Sequence, residues 1–117
     1  MNAVETVALR AEAYADALNR GDVETLRSFW SKERCCLVLD PARVCVGVEA
    51  ICADYLPGMR GRTVLGSVDM NPVLDDAMVA VARLRLDGET SVQSQLWILE
   101  RGQWRLCHVH AFIETDG

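Results

Sequence analysis

The sequence predicts an α+β domain in which helices occupy the first half of the chain and an antiparallel meander the second. Apolar side chains recur with the helical period over residues 4–19. Four strand-like runs, at about 62–71, 77–86, 91–100 and 103–113, are separated by Asp75-Asp76, Asp87-Gly88 and Arg101-Gly102. Gly and Asp tolerate the positive φ that hairpin turns use. Half of the 117 residues are hydrophobic, and a sheet of this kind can bury its apolar side only by curling around the helices.

The first helix carries Val4, Val7, Ala8, Ala11, Tyr14, Ala15 and Leu18 along one side. Gly21 can take the left-handed conformation that closes it, and Asp22 can cap a second helix bearing Val23, Leu26, Phe29 and Trp30. Cys35-Cys36-Leu37-Val38-Leu39 is too short and too uniformly apolar for an exposed helix, and Asp40-Pro41 punctuates it. It reads as a short strand ending at Asp40. A second short strand spans about Arg43 to Val46. A third helix runs from Val48 to Leu56, burying Ile51, Cys52, Tyr55 and Leu56, and Pro57-Gly58 stops it. There is no internal repeat or linker, so residues 1–117 form a single domain.

Composition narrows the function classes. A chain of this size hides roughly two-thirds of its extended surface on folding, enough for one core without metal or disulfide staples. The formal charge is −5 and no five-residue run is rich in Lys or Arg, which leaves no electrostatic footprint for nucleic acid. No stretch approaches the roughly 18 apolar residues of a membrane helix, and Glu5 and Glu12 replace the basic lead of a targeting segment. The expectation is a soluble, cytoplasmic protein that binds neither nucleic acid nor membrane. The five cysteines, 35, 36, 45, 52 and 107, include no C-x-x-C pair, so buried reduced thiols are expected rather than disulfides or a metal site. No cofactor is indicated.

Four segments carry a resemblance: Ala13-Tyr14-Ala15-Asp16-Ala17-Leu18-Asn19-Arg20-Gly21-Asp22, Phe29-Trp30, Gly47-Val48-Glu49-Ala50-Ile51, and Trp104-Arg105-Leu106-Cys107-His108-Val109-His110. In this order and spacing the whole chain resembles the nuclear transport factor 2-like superfamily, nearest its SnoaL-like and ketosteroid-isomerase-like members. The resemblance implies a cone: a strongly curved antiparallel sheet of the cystatin-like kind, wrapped around an apolar pocket that the helices close. It also implies a homodimer formed through the outer side of the sheet. Isomerases, dehydratases, cyclases, hydrolases and plain binding modules share this architecture, so the fold alone does not settle the activity.

Two positions match the ketosteroid isomerase pattern. Tyr14 falls where that family's tyrosine donates to the substrate oxyanion, and Asp40, before Pro41, falls where its general base precedes proline. A carboxylate beside a carbonyl removes a proton and a buried hydroxyl stabilises the enolate. The third position, an oxyanion-donating acid in the family, aligns with Trp97 or a neighbour in Gln95-Leu96-Trp97-Ile98, none of them acidic. Gln93 or Gln95 could supply an amide donor instead. Each match also has a plain explanation, turn chemistry for Asp-Pro and core packing for a helical Tyr.

Strand alternation places His108 and His110 on one side with Trp104, Leu106 and Phe112. Facing the pocket, His110 would pair with Asp40 as a second acid, as in the scytalone-dehydratase-like branch; facing outward, both histidines would sit in a dimer interface. Ser91, Gln93, Gln95, Trp97 and Leu99 likewise share a side that suits either a pocket or a wet surface. Phe29, Trp30 and Tyr55 are candidates for aromatic lining from the helices. The substrate-binding set is therefore Phe29, Trp30, Tyr55, Gln95, Trp97, His108 and Phe112, around catalytic Asp40, Tyr14 and His110. The activity expected is cofactor-independent proton transfer on a hydrophobic carbonyl compound, by an isomerase or a dehydratase or cyclase. The alternative is a non-catalytic ligand-binding or dimerisation module.

Overall fold

Asn2 and Gly21 set the limits of α1 (Ala3–Arg20). The Asn2 side chain accepts from the Glu5 amide at 2.9 Å, satisfying a free donor of the first turn. At the other end Gly21 takes φ 65°, and the amides of Gly21 and Asp22 return to the carbonyls of Leu18 and Ala17. Asp22 then caps α2 (Val23–Phe29), accepting from the Thr25 amide at 3.2 Å. The tight Gly-Asp corner is thus the one the sequence predicts.

The computed structural model describes residues 1–39 and 43–114. The predicted strand end at Asp40 lies outside these residues, together with Pro41 and Ala42. Among the described residues follow β1 (Cys36–Leu39), β2 (Arg43–Val46) and α3 (Val48–Asp54). Gly47 opens α3 at φ 89°, a conformation that favours glycine at this corner. The helix does not run on to Leu56. Pro57 has no amide to continue the ladder, and the chain tightens into a 3₁₀ turn over Leu56–Gly58.

Four long strands complete the chain: β3 (Thr63–Leu74), β4 (Ala77–Leu86), β5 (Glu89–Glu100) and β6 (Gln103–Glu114). The last two turns are two-residue loops with both φ values positive, at Asp87 and Gly88 (48° and 90°) and at Arg101 and Gly102 (51° and 80°). The sheet order is β2-β1-β6-β5-β4-β3. Strands β3 to β6 form the predicted antiparallel meander, but β1 pairs with β6 in parallel, so the sheet is mixed. It is open rather than closed, because β2 and β3 are its two ends.

The packed helices lie on one side: α1 packs against β3 and β4, and α2 against β6. That inner side is filled by Met78, Ala80 and Leu84 of β4, by Trp97 of β5 and by Leu106 and Val109 of β6, all at most 2% exposed.

One irregularity overturns a predicted facing. Leu96 pairs with His108 whereas Trp97 pairs with Leu106, so Cys107 is an extra residue in a bulge. The bulge shifts the alternation of β6 by one. Trp104, Leu106, Val109 and Ala111 are all buried, while His108 and His110 fall on the opposite, outer side. The two histidines therefore do not share a side with Trp104 and Leu106, as unbroken alternation would require.

Candidate functional site

The deep interior of the cone is occupied by aromatic rings. Tyr14 meets Phe29, Trp30 and Trp97 edge-on, with centroids 5.6, 6.2 and 6.4 Å apart, and Phe29 meets Trp97 in the same way at 6.3 Å. Such contacts are each worth about 0.5–1.5 kcal/mol beyond the area they bury. The Arg10 guanidinium lies 4.4 Å from the Phe29 ring centroid and donates twice to the Trp104 carbonyl, at 2.9 and 3.2 Å. Burial, followed by the neighbouring Arg105, holds Arg10 below the ordinary arginine range.

Within this cluster the Tyr14 hydroxyl and the Trp30 indole nitrogen are buried with no hydrogen-bond partner among the described residues. Burial is the main cause that pushes the Tyr14 hydroxyl well above the ordinary tyrosine range; Tyr55 and Cys52 add to it, and Trp30 opposes it weakly. Trp30 is thus close to Tyr14 without the geometry of a full hydrogen bond.

An open cleft of about 360 Å³ lies between the α3–3₁₀ segment and the end of β6. Leu39, Met59, Leu86, Ala111 and Ile113 give it apolar walls, and Tyr55 and Ser91 are its polar wall residues. Arg43, Asp54, Arg62 and Glu89 contribute charges of both signs, with Arg62 held by Asp87 at 2.8 Å. Other depressions of comparable volume occur on the surface, one beside Thr6 and Arg10. What distinguishes this cleft is the buried polar chain that ends at its wall.

That chain runs along the inner side of β5. The Trp97 indole N–H donates to Gln95 Oε1 at 3.0 Å, and Gln95 Nε2 donates to Gln93 Oε1 at 3.0 Å. Gln93 Nε2 then donates to the Tyr55 hydroxyl oxygen. Trp97 and Gln93 are fully buried, and Gln95 nearly so. An unpaired buried amide costs about 1–3 kcal/mol, so each link protects the next from that penalty. Burial raises the Tyr55 pKa, opposed by the hydrogen bond from Gln93, and the phenol stays protonated through neutral pH.

The predicted site residues divide among several places. Tyr55 and Phe112 line the cleft. Gln95 and Trp97 belong to the polar chain, and Phe29, Trp30 and Tyr14 to the aromatic core. None of these five lines the cleft. His108 and His110 lie on the outer side and do not line it either; the His110 ring sits 5.8 Å from that of Phe112. Asp40 is outside the described residues. Among described residues no group of three or more His, Cys, Asp or Glu could hold a metal ion, and no helix is long and apolar enough to cross a membrane.

Sequence reasoning grouped Ser91 on a side that suits a pocket without placing it in the binding set, and missed Met59, Leu86 and Ala111 as wall residues. The repeat of polar residues at 91, 93 and 95 was the available signal, but alternation cannot say which side faces in.

No protein-family model matches the chain, and no curated protein matches it in sequence. Solved structures do match, 303 chains in all, so the fold is widespread and does not by itself select an activity. An uncharacterised protein with a cystatin-like fold from Caulobacter vibrioides gives a TM-score of 0.82 at 16% identity, over 96% of this chain and 89% of that one. A protein from Streptomyces avermitilis, provisionally described as a dehydratase of the nuclear transport factor 2-like family, gives 0.78 at 20% identity over 97% of each chain. A nuclear transport factor 2-like protein of unknown function in nutrient uptake from Rhodospirillum rubrum gives 0.78 at 21% identity, over 93% of this chain and 98% of that one. The chain has the cystatin-like, nuclear transport factor 2-like fold that its motifs resemble.

Proposed function

We propose that the cleft binds a small hydrophobic molecule carrying a carbonyl group, and that Asp40 transfers a proton on it without a cofactor. The observation that supports this most directly is the combination of apolar walls with a protonated Tyr55 at the end of a buried polar chain. The base is assigned to Asp40 because the resemblance to the ketosteroid isomerase pattern implies it. In the reaction its carboxylate takes a proton from the carbon beside the carbonyl, the C–H pair becomes a C=C bond, and the carbonyl π pair becomes an oxygen lone pair. Where the ligand carries a C=C bond one carbon further on, the far carbon of that bond takes the proton back, the oxygen lone pair reforms the carbonyl, the C=C bond moves into conjugation with it, and the carboxylate is restored.

The test needs no knowledge of the natural substrate. In D₂O, 2-tetralone exchanges the protons beside its carbonyl, and NMR follows their loss. The wild-type protein should accelerate this exchange, and Asp40→Asn should reduce it at least about a hundredfold with affinity for the ketone within twofold. Undiminished exchange in the variant would remove Asp40 from its role.

A non-catalytic reading is favoured by a separate observation: the third position of the isomerase pattern falls at Trp97 or a neighbour in Gln95-Leu96-Trp97-Ile98, none of them acidic, and there the Trp97 indole N–H and the Gln95 amide are already committed to hydrogen bonds within the chain. It predicts binding of 2-tetralone with exchange no faster than in buffer. On either reading we propose a homodimer through the outer side of the sheet. Among the described residues no packed helix covers that side in one chain, and Val79, Val81, Leu96 and Ile98 are only partly buried there.

A further inference from the structure

We propose that Tyr55, rather than Tyr14, is the hydrogen-bond donor to the ligand's carbonyl oxygen, and that Trp97, Gln95 and Gln93 aim its proton into the cleft. This rests on the cleft being the ligand site.

The orientation follows from what each group can do. An indole N–H only donates, so the atom of Gln95 that meets Trp97 has to be the oxygen. The Gln95 amide nitrogen is then the end that faces Gln93, which has to answer with its oxygen. The Gln93 nitrogen is left to donate to Tyr55. Turning either amide over would set donor against donor or acceptor against acceptor, so one indole fixes the direction of the whole chain.

At its end the Tyr55 oxygen is an acceptor and its proton has no acceptor among the described residues. The open volume beside Tyr55 is the cleft. Each donation polarises the next group, so the phenol that receives from Gln93 is a stronger donor than an isolated one. The ligand group that fits is a neutral or partly anionic oxygen acceptor, a carbonyl or the enolate formed from it. A ligand group that only donates would leave the Tyr55 proton unpaired. Tyr14 has the same functional group, but its hydroxyl is buried in the aromatic cluster and it does not line the cleft.

The probes are 2-tetralone, carrying a ¹³C carbonyl, and tetralin, the hydrocarbon of the same shape. Calorimetry reads affinity, and isotope-edited infrared spectroscopy reads the hydrogen bond on the carbonyl directly. In the wild-type protein the carbonyl stretch should move to lower wavenumber than for the ketone in hydrocarbon solvent. Tyr55→Phe should abolish that shift and weaken 2-tetralone about five- to tenfold, with tetralin changed by less than twofold. Trp97→Phe, which removes only the head of the chain, should leave a smaller shift. It also serves as the working variant if Tyr55→Phe does not fold. A wild-type complex in which 2-tetralone binds with an unshifted carbonyl overturns the donor assignment while leaving the cleft reading intact. So does a shift that survives Tyr55→Phe, or one untouched by Trp97→Phe. Failure of both probes to bind the wild-type protein overturns the cleft reading and the donor assignment with it.

Discussion

Tyr14 and Tyr55 are the only two tyrosines of the chain, and the fold treats them in opposite ways. Tyr55 keeps its hydroxyl paired with Gln93 at the edge of the cleft, whereas the Tyr14 hydroxyl is buried among rings with no full hydrogen bond among the described residues. A buried hydroxyl without a partner costs about 1–3 kcal/mol. Tyr14→Phe should therefore stabilise the protein by about 1 kcal/mol in urea denaturation and leave the affinity for 2-tetralone unchanged. Loss of stability together with loss of ketone binding would return the donor role to Tyr14. The sequence made Tyr14 the more visible of the two, because its helix position matches a known pattern. Nothing in a linear pattern reports whether a hydroxyl ends up beside open volume or inside a ring cluster. Tyr55 was legible as an aromatic lining residue and illegible as a donor, since that role depends on two glutamines 38 and 40 positions further on.

The hairpins were the most legible elements. Asp87-Gly88 and Arg101-Gly102 sit where the spacing placed them, and both adopt the doubly positive φ of a two-residue turn. Arg101 is strained there, at φ 51°, because its Cβ crowds the following carbonyl in the left-handed region. Its ion pair with Glu33, 3.4 Å long, involves side chains 89% and 58% exposed and contributes little. Arg101→Asn should raise the urea midpoint, by about 0.5–1 kcal/mol of stability, since Asn adopts this conformation more readily. A lowered midpoint would show that Arg101 supports the turn in some other way. The bulge at Cys107 was not legible. An extra residue in a strand leaves composition and apolar content untouched and changes only phase, so the histidines after it were grouped with Trp104 and Leu106, from which the bulge separates them. The alternation in β5 had the right grouping, and the burial of Gln93, Gln95 and Trp97 decides which side it faces.

At the scale of the molecule, the sheet has a filled inner side and an outer side that, among the described residues, has no packed helix. A second copy of the chain is the occupant that the motif resemblance implies for that outer side, and Val81 lies on it opposite Asp69 and Ser94. Light scattering coupled to size exclusion should give twice the mass of one chain for the wild-type protein. Val81→Arg should give the mass of one chain, with Asp69 as a neighbour for the new charge so that the fold survives. A wild-type mass of one chain at micromolar concentration would sink the dimer. The overall architecture was legible because helical and strand periods occupy separate halves. The parallel pairing of β1 with β6 was not, because it joins Cys36 to His108 across most of the chain. That same pairing constrains how the molecule comes into being. In synthesis β1 precedes β6, so the pairing of Cys36 with His108 waits for a strand made much later. Closing a loop of that length is slow. Until it closes, Leu39, which lines the cleft, lacks its β6 register partner Ala111, a second lining residue.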